Sequence, residues 1–271
     1  MVLAPDGSVA FSDGDVTNPI FPRSSNKPMQ AAGMLHAGLD IKDELLALAA
    51  ASHSGEDFHV EGVRSILDWA GLTEDDLQCP PDPTRIRMNC SGKHAAMLAT
   101  CVANGWPTQT YRDPDHPLQQ RIKTTVERLA DERVTTTGVD GCGAPLFALS
   151  LTGVAQAFHT LVLAEPMSPE RRVADAMRAH PEWTSGTTRD ENRLMRAVPG
   201  LLNKGGAEGV DAFALPDGYA GAVKFDDGSS RARTAVTAAI LRGIGKTVPE
   251  ELGHTPVLGA GLPVGEIRPT I

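Results

Sequence analysis

The sequence predicts an α+β fold: a mostly antiparallel sheet built from strands at both ends of the chain, with helices supplied by the middle. Three observations predict it. The first 22 residues and those after 195 carry short strand-like runs broken by turn residues. The stretch between them carries helical spacings with proline starts and glycine stops. No linker, repeat or low-complexity tract divides the 271 residues, so residues 1–271 are expected to form one domain.

Residues 1–22 read as short strands with turns at "PDGS" and "SDGD". A helix is expected from near Pro28 to Gly38, since proline suits a first turn but disfavours α geometry at Lys27 before it. "ELLALAAA" (44–51) fits a buried strand or a helix, and periodicity alone does not choose. "VEGVRSILDWAGL" (60–72) places Val60, Val63, Ile66, Leu67 and Ala70 at helical spacing before Gly71. "CSGKHAAMLATCVANG" opens another helix, closed by Gly105. "HPLQQRIKTTVERLAD" sets Leu118, Ile122, Val126 and Leu129 on one face behind Pro117. In "SPERRVADAM", Ser168 is the N-cap and Pro169 the first helical residue. "GLLNKGGAEGVDAFALPDGYAGAVKFDDG" reads as strands joined by glycine turns, "ARTAVTAAILRGIG" as a helix and "PVGEIRP" as a last strand.

Composition narrows the partners. A hydrophobic fraction of 41% over this length suffices for a substantial core, and with aromatics at only 4% that core must be Leu, Val, Ala and Met. A net charge of −9 argues against nucleic acid or an anionic membrane as the main partner. The start "MVLAPDGSVAFSDGD" has no basic segment followed by an apolar run, so it is not expected to be a signal peptide. No window approaches the ~18 apolar residues of a membrane span. Cys79, Cys90, Cys101 and Cys142 form neither a C-x-x-C pair nor a dense framework, which favours reduced thiols in a cytoplasmic protein.

Five stretches carry chemistry-bearing residues. In "FPRSSNKPMQ", Ser24 and Lys27 are spaced to share one face of a helical turn, which is either a Ser-Lys pair or a serine cap beside a solvated lysine. "ASHSGED" (51–57) follows an apolar run as an active-site loop would, and as a solvated turn would. "NCSGKHA" (89–95) clusters Cys90, Lys93 and His94 at a helix start, where a thiolate, an anion or a metal is favoured, and where a buried cysteine with a capping serine is also ordinary. "GVDGCGAP" (138–145) brackets Asp140 and Cys142 with glycines, fitting a ligand loop or a structural turn. "NKGGAEG" (203–209) puts Lys204 before two glycines, resembling the K-[ST]-G strand of penicillin-recognising enzymes, or a plain hairpin.

Together the blocks "RSSNKPMQA", "ASHSGEDFH", "NCSGKHAAML", "DPDHPLQQRI", "VDGCGAP", "HPEWTSG", "LMRA" and "NKGGAEGV" resemble the rhizobial-type, asparaginase II-like L-asparaginases, in family order over most of the chain. The resemblance implies a serine β-lactamase/transpeptidase-like fold, hydrolysis of L-asparagine to L-aspartate and ammonia, and a homodimer. It implies catalytic roles for Ser24, Lys27, Ser52 and Lys204, and substrate contacts for Arg23, His94, Asp140 and Cys142. It implies that no cofactor is required. A zinc site found in some members maps to Cys90 and Lys93, and its third ligand, a cysteine in the family, aligns with Glu191. The family also has about two dozen residues, including a strand, ahead of the point where this chain begins, which implies either an uncovered sheet edge or a start placed too late in the sequence.

The expected reaction is acyl transfer through a serine ester. A lysine must be neutral to accept the serine proton, and crowding Lys27 and Lys204 in one desolvated pocket lowers the pKa of at least one. Rival readings are a β-lactamase or peptidase with the same Ser-Lys core, a non-catalytic amino-acid-binding module, and a Cys/His metal-binding structural protein.

Overall fold

The computed structural model describes residues 1–270. Strands β1 (Val2–Leu3) and β2 (Val9–Phe11) form a hairpin at the start. Helices α1 (Lys27–His36), α2 (Asp43–Ala49), α3 (Asp57–Trp69), α4 (Ser91–Asn104) and α5 (Pro117–Ala130) follow, then a hairpin of β3 (Thr137–Val139) and β4 (Pro145–Phe147). Helices α6 (Leu151–Leu163), α7 (Pro169–Ala179), α8 (Pro181–Thr184) and α9 (Asp190–Ala197) lead into strands β5 (Leu202–Gly206), β6 (Val210–Ala214) and β7 (Ala220–Lys224). Helix α10 (Arg233–Gly243) and a hairpin of β8 (Thr255–Gly259) and β9 (Leu262–Ile267) complete the order.

The central sheet runs β2-β1-β7-β6-β5, antiparallel at every pairing. Both ends of the chain supply it, as the sequence predicts. The C-terminal contribution is β5–β7, however. The "PVGEIRP" strand pairs only with β8, because the hairpin turn holds it there and it has no partner in the main sheet. β2 is an outer strand of the sheet, with Val9, Ala10 and Phe11 exposed.

Both faces of the sheet are covered, which is why β6 is buried along its whole length. On one side Ala212 and Ala214 join the main core with Met29, Leu48, Phe147, Phe158 and Leu161. On the other, Phe213 packs with Val2, Leu194, Leu241 and Leu252 under α9 and α10. Helix α1 runs through the main core, touching α4, α5 and α7. It starts one residue earlier than the proline rule suggests. A 3-10 turn over Arg23–Asn26 runs straight into it, the Lys27 N–H bonding to the Ser24 carbonyl, and this holds Lys27 at φ −60°, ψ −37° despite the following Pro28.

The ambiguous run at 44–51 resolves as helix α2. It is buried from Leu46 through Ala51, so no polar face marks a period of 3.6. Helix α6, "LTGVAQAFHTLVL", keeps Thr152, Gln156, His159 and Thr160 partly exposed along one side. Its N-terminus is marked by the Ser150 cap, whose hydroxyl accepts the Gly153 N–H.

Candidate active site

Ser52 stands in the loop after α2. Its N–H bonds to the Thr184 carbonyl at 3.0 Å, and the next N–H, of His53, bonds to Asn89 at 3.1 Å. The His53 ring is held as well: Nδ1 accepts the Gly55 N–H and Nε2 meets the Ser91 hydroxyl at 3.0 Å. That hydroxyl donates to the Ile86 carbonyl, so Nε2 carries the proton. The loop is therefore pinned on both sides of the serine.

Two lysines reach Ser52. Lys27, at the head of α1, donates to Ser52 Oγ at 3.0 Å, to the Ala51 carbonyl, and to Cys90 Sγ at 3.0 Å. Lys204, on β5, donates to Ser52 Oγ at 2.9 Å and to the Gly205 carbonyl at 2.7 Å. Both side chains are buried. Burial, then the charge of Lys27, pull Lys204 from 10.5 down to about 7, while Glu191 partly opposes them. A lysine at that value is available as a proton acceptor near neutrality.

Gly206 explains how β5 comes so close. A Cβ there would lie 2.5 Å from the Pro22 carbonyl oxygen and 3.0 Å from Ser25 Oγ. Ser25 in turn donates to the Lys204 carbonyl at 2.9 Å, tying the 3-10 turn to the strand.

Ser24 is half-exposed on that turn, and its hydroxyl makes no hydrogen bond among the described residues. Lys27 Nζ bonds Ser52 at 3.0 Å, and no hydrogen bond joins it to Ser24 among the described residues. Arg23 has φ +52°, an uncommon conformation for a non-glycine residue and one that clusters at functional sites. Its Nε bonds Asp140 at 2.8 Å and its Nη1 bonds Glu208 at 2.8 Å.

The thiols form a second cluster. Lys93 Nζ lies 3.1 Å from Cys142 Sγ. The Cys90 thiol donates to Asn89 Oδ1 at 2.9 Å, and Cys90, Lys93 and His94 pull the Cys142 thiol down despite burial. Cys90 is correspondingly pushed up, first by the neighbouring Cys142 and then by burial. Burial works against the charge on Lys93, but Cys142, Cys90 and Asp140 outweigh it and raise its pKa. The two shifts run in opposite directions, favouring charge on both Lys93 and Cys142. His94 is fully buried, with Nδ1 2.5 Å from the Tyr111 hydroxyl and no hydrogen bond at Nε2.

Glu191 is not in this cluster. It lies in the first turn of α9, with its carboxylate 3.5 Å from Arg233. Sequence alignment set it beside Cys90 and Lys93, but the thiol that meets them is Cys142, carried there by the glycine-flanked turn ahead of β4. Among the described residues, no three His, Cys, Asp or Glu side chains converge to hold a metal ion. Cys90, Cys142 and the Lys93 amine are nonetheless a sulfur–sulfur–nitrogen donor set of the kind zinc accepts. Tyr111, Glu208 and Arg233 also belong to the site region. Only Glu208 had any signal in the sequence, its place within "NKGGAEG".

A family model described as L-asparaginase II matches residues 1–269 of the chain. No curated protein matches it.

Proposed function

The chain belongs to the L-asparaginase II family and is an asparaginase amidohydrolase, and from that premise we propose that it works through a serine ester served by two lysines. The observation that carries this is Ser52 Oγ held between Lys27 Nζ at 3.0 Å and Lys204 Nζ at 2.9 Å. Lys204, Ser52 and Lys27 form a continuous proton path, and Ser24 stands one turn ahead of its Lys27 end. Ser52 already holds both amines, whereas the Ser24 oxygen is unengaged.

In this reading Ser24 Oγ attacks the side-chain amide carbon of asparagine, and its proton passes to the Lys27–Ser52–Lys204 path. The path returns a proton to the amide nitrogen as the C–N bond breaks, releasing ammonia. Water then attacks the aspartyl ester, gives its proton to the path, and frees aspartate while Ser24 recovers its hydrogen. Arg23, the residue before Ser24 in the chain, is ion-paired with Asp140 at 2.8 Å. Asparagine, carrying an α-carboxylate and an α-ammonium, would exchange partners with them. His94, fixed by Tyr111, and Cys142 would shape the far wall.

The contact of Ser52 with both amines favours a second reading in which Ser52 itself attacks. Rapid quench with asparagine followed by intact-mass analysis separates the two. An aspartyl adduct retained in Ser52→Ala and lost in Ser24→Ala supports Ser24. The opposite result supports Ser52, and the absence of any adduct in wild type and both variants would sink the covalent mechanism.

The S-x-x-K pair at the head of a buried helix, the K-G-G strand beside it, and the antiparallel sheet fed from both termini support a serine β-lactamase-like arrangement with one catalytic domain. A homodimer is inferred from the family resemblance. Four free, buried cysteines agree with a cytoplasmic location. Where zinc binds, Cys90, Lys93 and Cys142 would hold it and Glu191 would not. Bound, it would supply a fixed positive charge that keeps both sulfurs ionised.

A further inference from the structure

Behind Lys204 sits a pair of charges that the proton path does not use. Glu191 and Arg233 are largely buried, at 12% and 18% side-chain exposure. Arg233 Nη1 donates to the Gly206 and Val210 carbonyls at 3.2 and 3.4 Å, which lays the guanidinium along β5. A Cβ at Gly205 would collide with both Arg233 Nη1 and Glu191 Oε1, so the pair presses directly on the residue next to Lys204. The Gly205 carbonyl is also the one that Lys204 Nζ bonds. The pair is a poor anchor: its ionic contact is 3.5 Å long, and Arg233 Nε is buried with no partner.

We propose that Glu191 and Arg233 are positioning residues that set the pH at which the site switches on, acting through the Lys204 amine. The proposal rests on the reading that neutral Lys204 accepts the catalytic proton. The charged and titratable groups acting on that amine are Lys27, Glu191, Arg233 and Cys90. Lys27 and Cys90 belong to the catalytic and thiol clusters. Glu191 and Arg233 touch neither and have opposite signs, so together they form an adjustable bias. Glu191 favours the ammonium and Arg233 disfavours it.

The test is a kcat–pH profile from ammonia release, paired with a 13Cε NMR titration of Lys204, in wild type, Glu191→Gln, Arg233→Gln, the double variant and Glu191→Asp. Glu191→Gln is expected to move the acid limb down by about one pH unit, and Arg233→Gln to move it up by a similar amount. The double variant returns it to within ~0.3 unit, and Glu191→Asp, which keeps the charge, leaves it in place. Shifts in the same direction for the two single variants, or no NMR shift in either, would overturn the proposal. NMR shifts of the expected signs with an unmoved activity limb would show that the pair biases the amine but that Lys204 is not the base, overturning the proposal together with the reading it rests on.

Discussion

Two lysines in this protein are equally buried and end in opposite states. Lys204 and Lys93 each expose about one per cent of their surface. Lys204 is drawn down to about 7, while Lys93 is held above its ordinary value. Burial penalises the ammonium in both, so burial does not decide. What decides is the sign of the neighbours: Lys204 faces the charge of Lys27, whereas Lys93 faces the sulfur of Cys142. Lys27 spans the two clusters, with Ser52 on one side and Cys90 on the other. One buried region therefore holds an amine ready to accept a proton about as far inside the protein as an amine that keeps its own.

The largest effect expected follows from removing Lys204. Lys204→Met should cut kcat by on the order of a thousandfold or more, as the path loses its acceptor. The same variant should be more stable. Below pH 7 the folded and unfolded chains both carry the proton, and the folded state bears the full penalty of the shift from 10.5 to about 7. Between those values only the unfolded chain carries it, so wild-type stability rises with pH at about 1.4 kcal/mol per unit. Lys204→Met should lose that slope and gain on the order of 2–4 kcal/mol at pH 7 after its lost hydrogen bonds are counted. Urea unfolding at pH 6, 7.5 and 9 measures both. A variant less stable than wild type at pH 6 would mean that Lys204 is not strained by burial.

The opposite result is expected at the other lysine. Cys142→Ala strands the Lys93 ammonium with only Cys90 and Asp140 near it. It should cost about 3 kcal/mol, because breaking a buried pair from one side leaves an unpaired charge. Lys93→Met combined with Cys142→Ala should recover most of that loss, since the whole pair is then replaced by apolar volume. If the double variant is no better than the single, packing rather than charge governs the cluster.

Much of this was legible before any coordinates. Proline and serine starts gave α5 and α7, and glycine gave the end of α4, because such signals are local. The sheet was legible as two terminal groups of strands. Helix α6 was not read, although Thr152, Gln156, His159 and Thr160 recur at helical spacing on its partly exposed side. Nor was the separate β8–β9 hairpin, since a strand's partner is a tertiary fact. Within the site, Ser52 and Lys204 lie 152 residues apart in sequence, and only family resemblance joined them. The placement of Glu191 beside Cys90 failed for a related reason: ligand identity was matched by position in an alignment, while Cys142 reaches the thiol cluster through a turn whose direction the sequence does not display.

The smallest effect expected serves as a control on the comparison. Glu208 bonds Arg23 at 2.8 Å but is 58% exposed, on the turn between β5 and β6. Water and salt screen such a charge, and exposed pairs contribute only ~0–1 kcal/mol. Glu208→Gln should change stability by less than about 0.5 kcal/mol and should leave the acid limb of kcat within ~0.2 pH unit. Its visible effect should be on KM, since Arg23 loses one of two partners and presents a freer guanidinium to a carboxylate ligand. Should Glu208→Gln shift the acid limb as far as a buried variant does, Lys204 would be answering to the field of the whole surface. The contrast with Lys93 could then no longer be assigned to immediate neighbours.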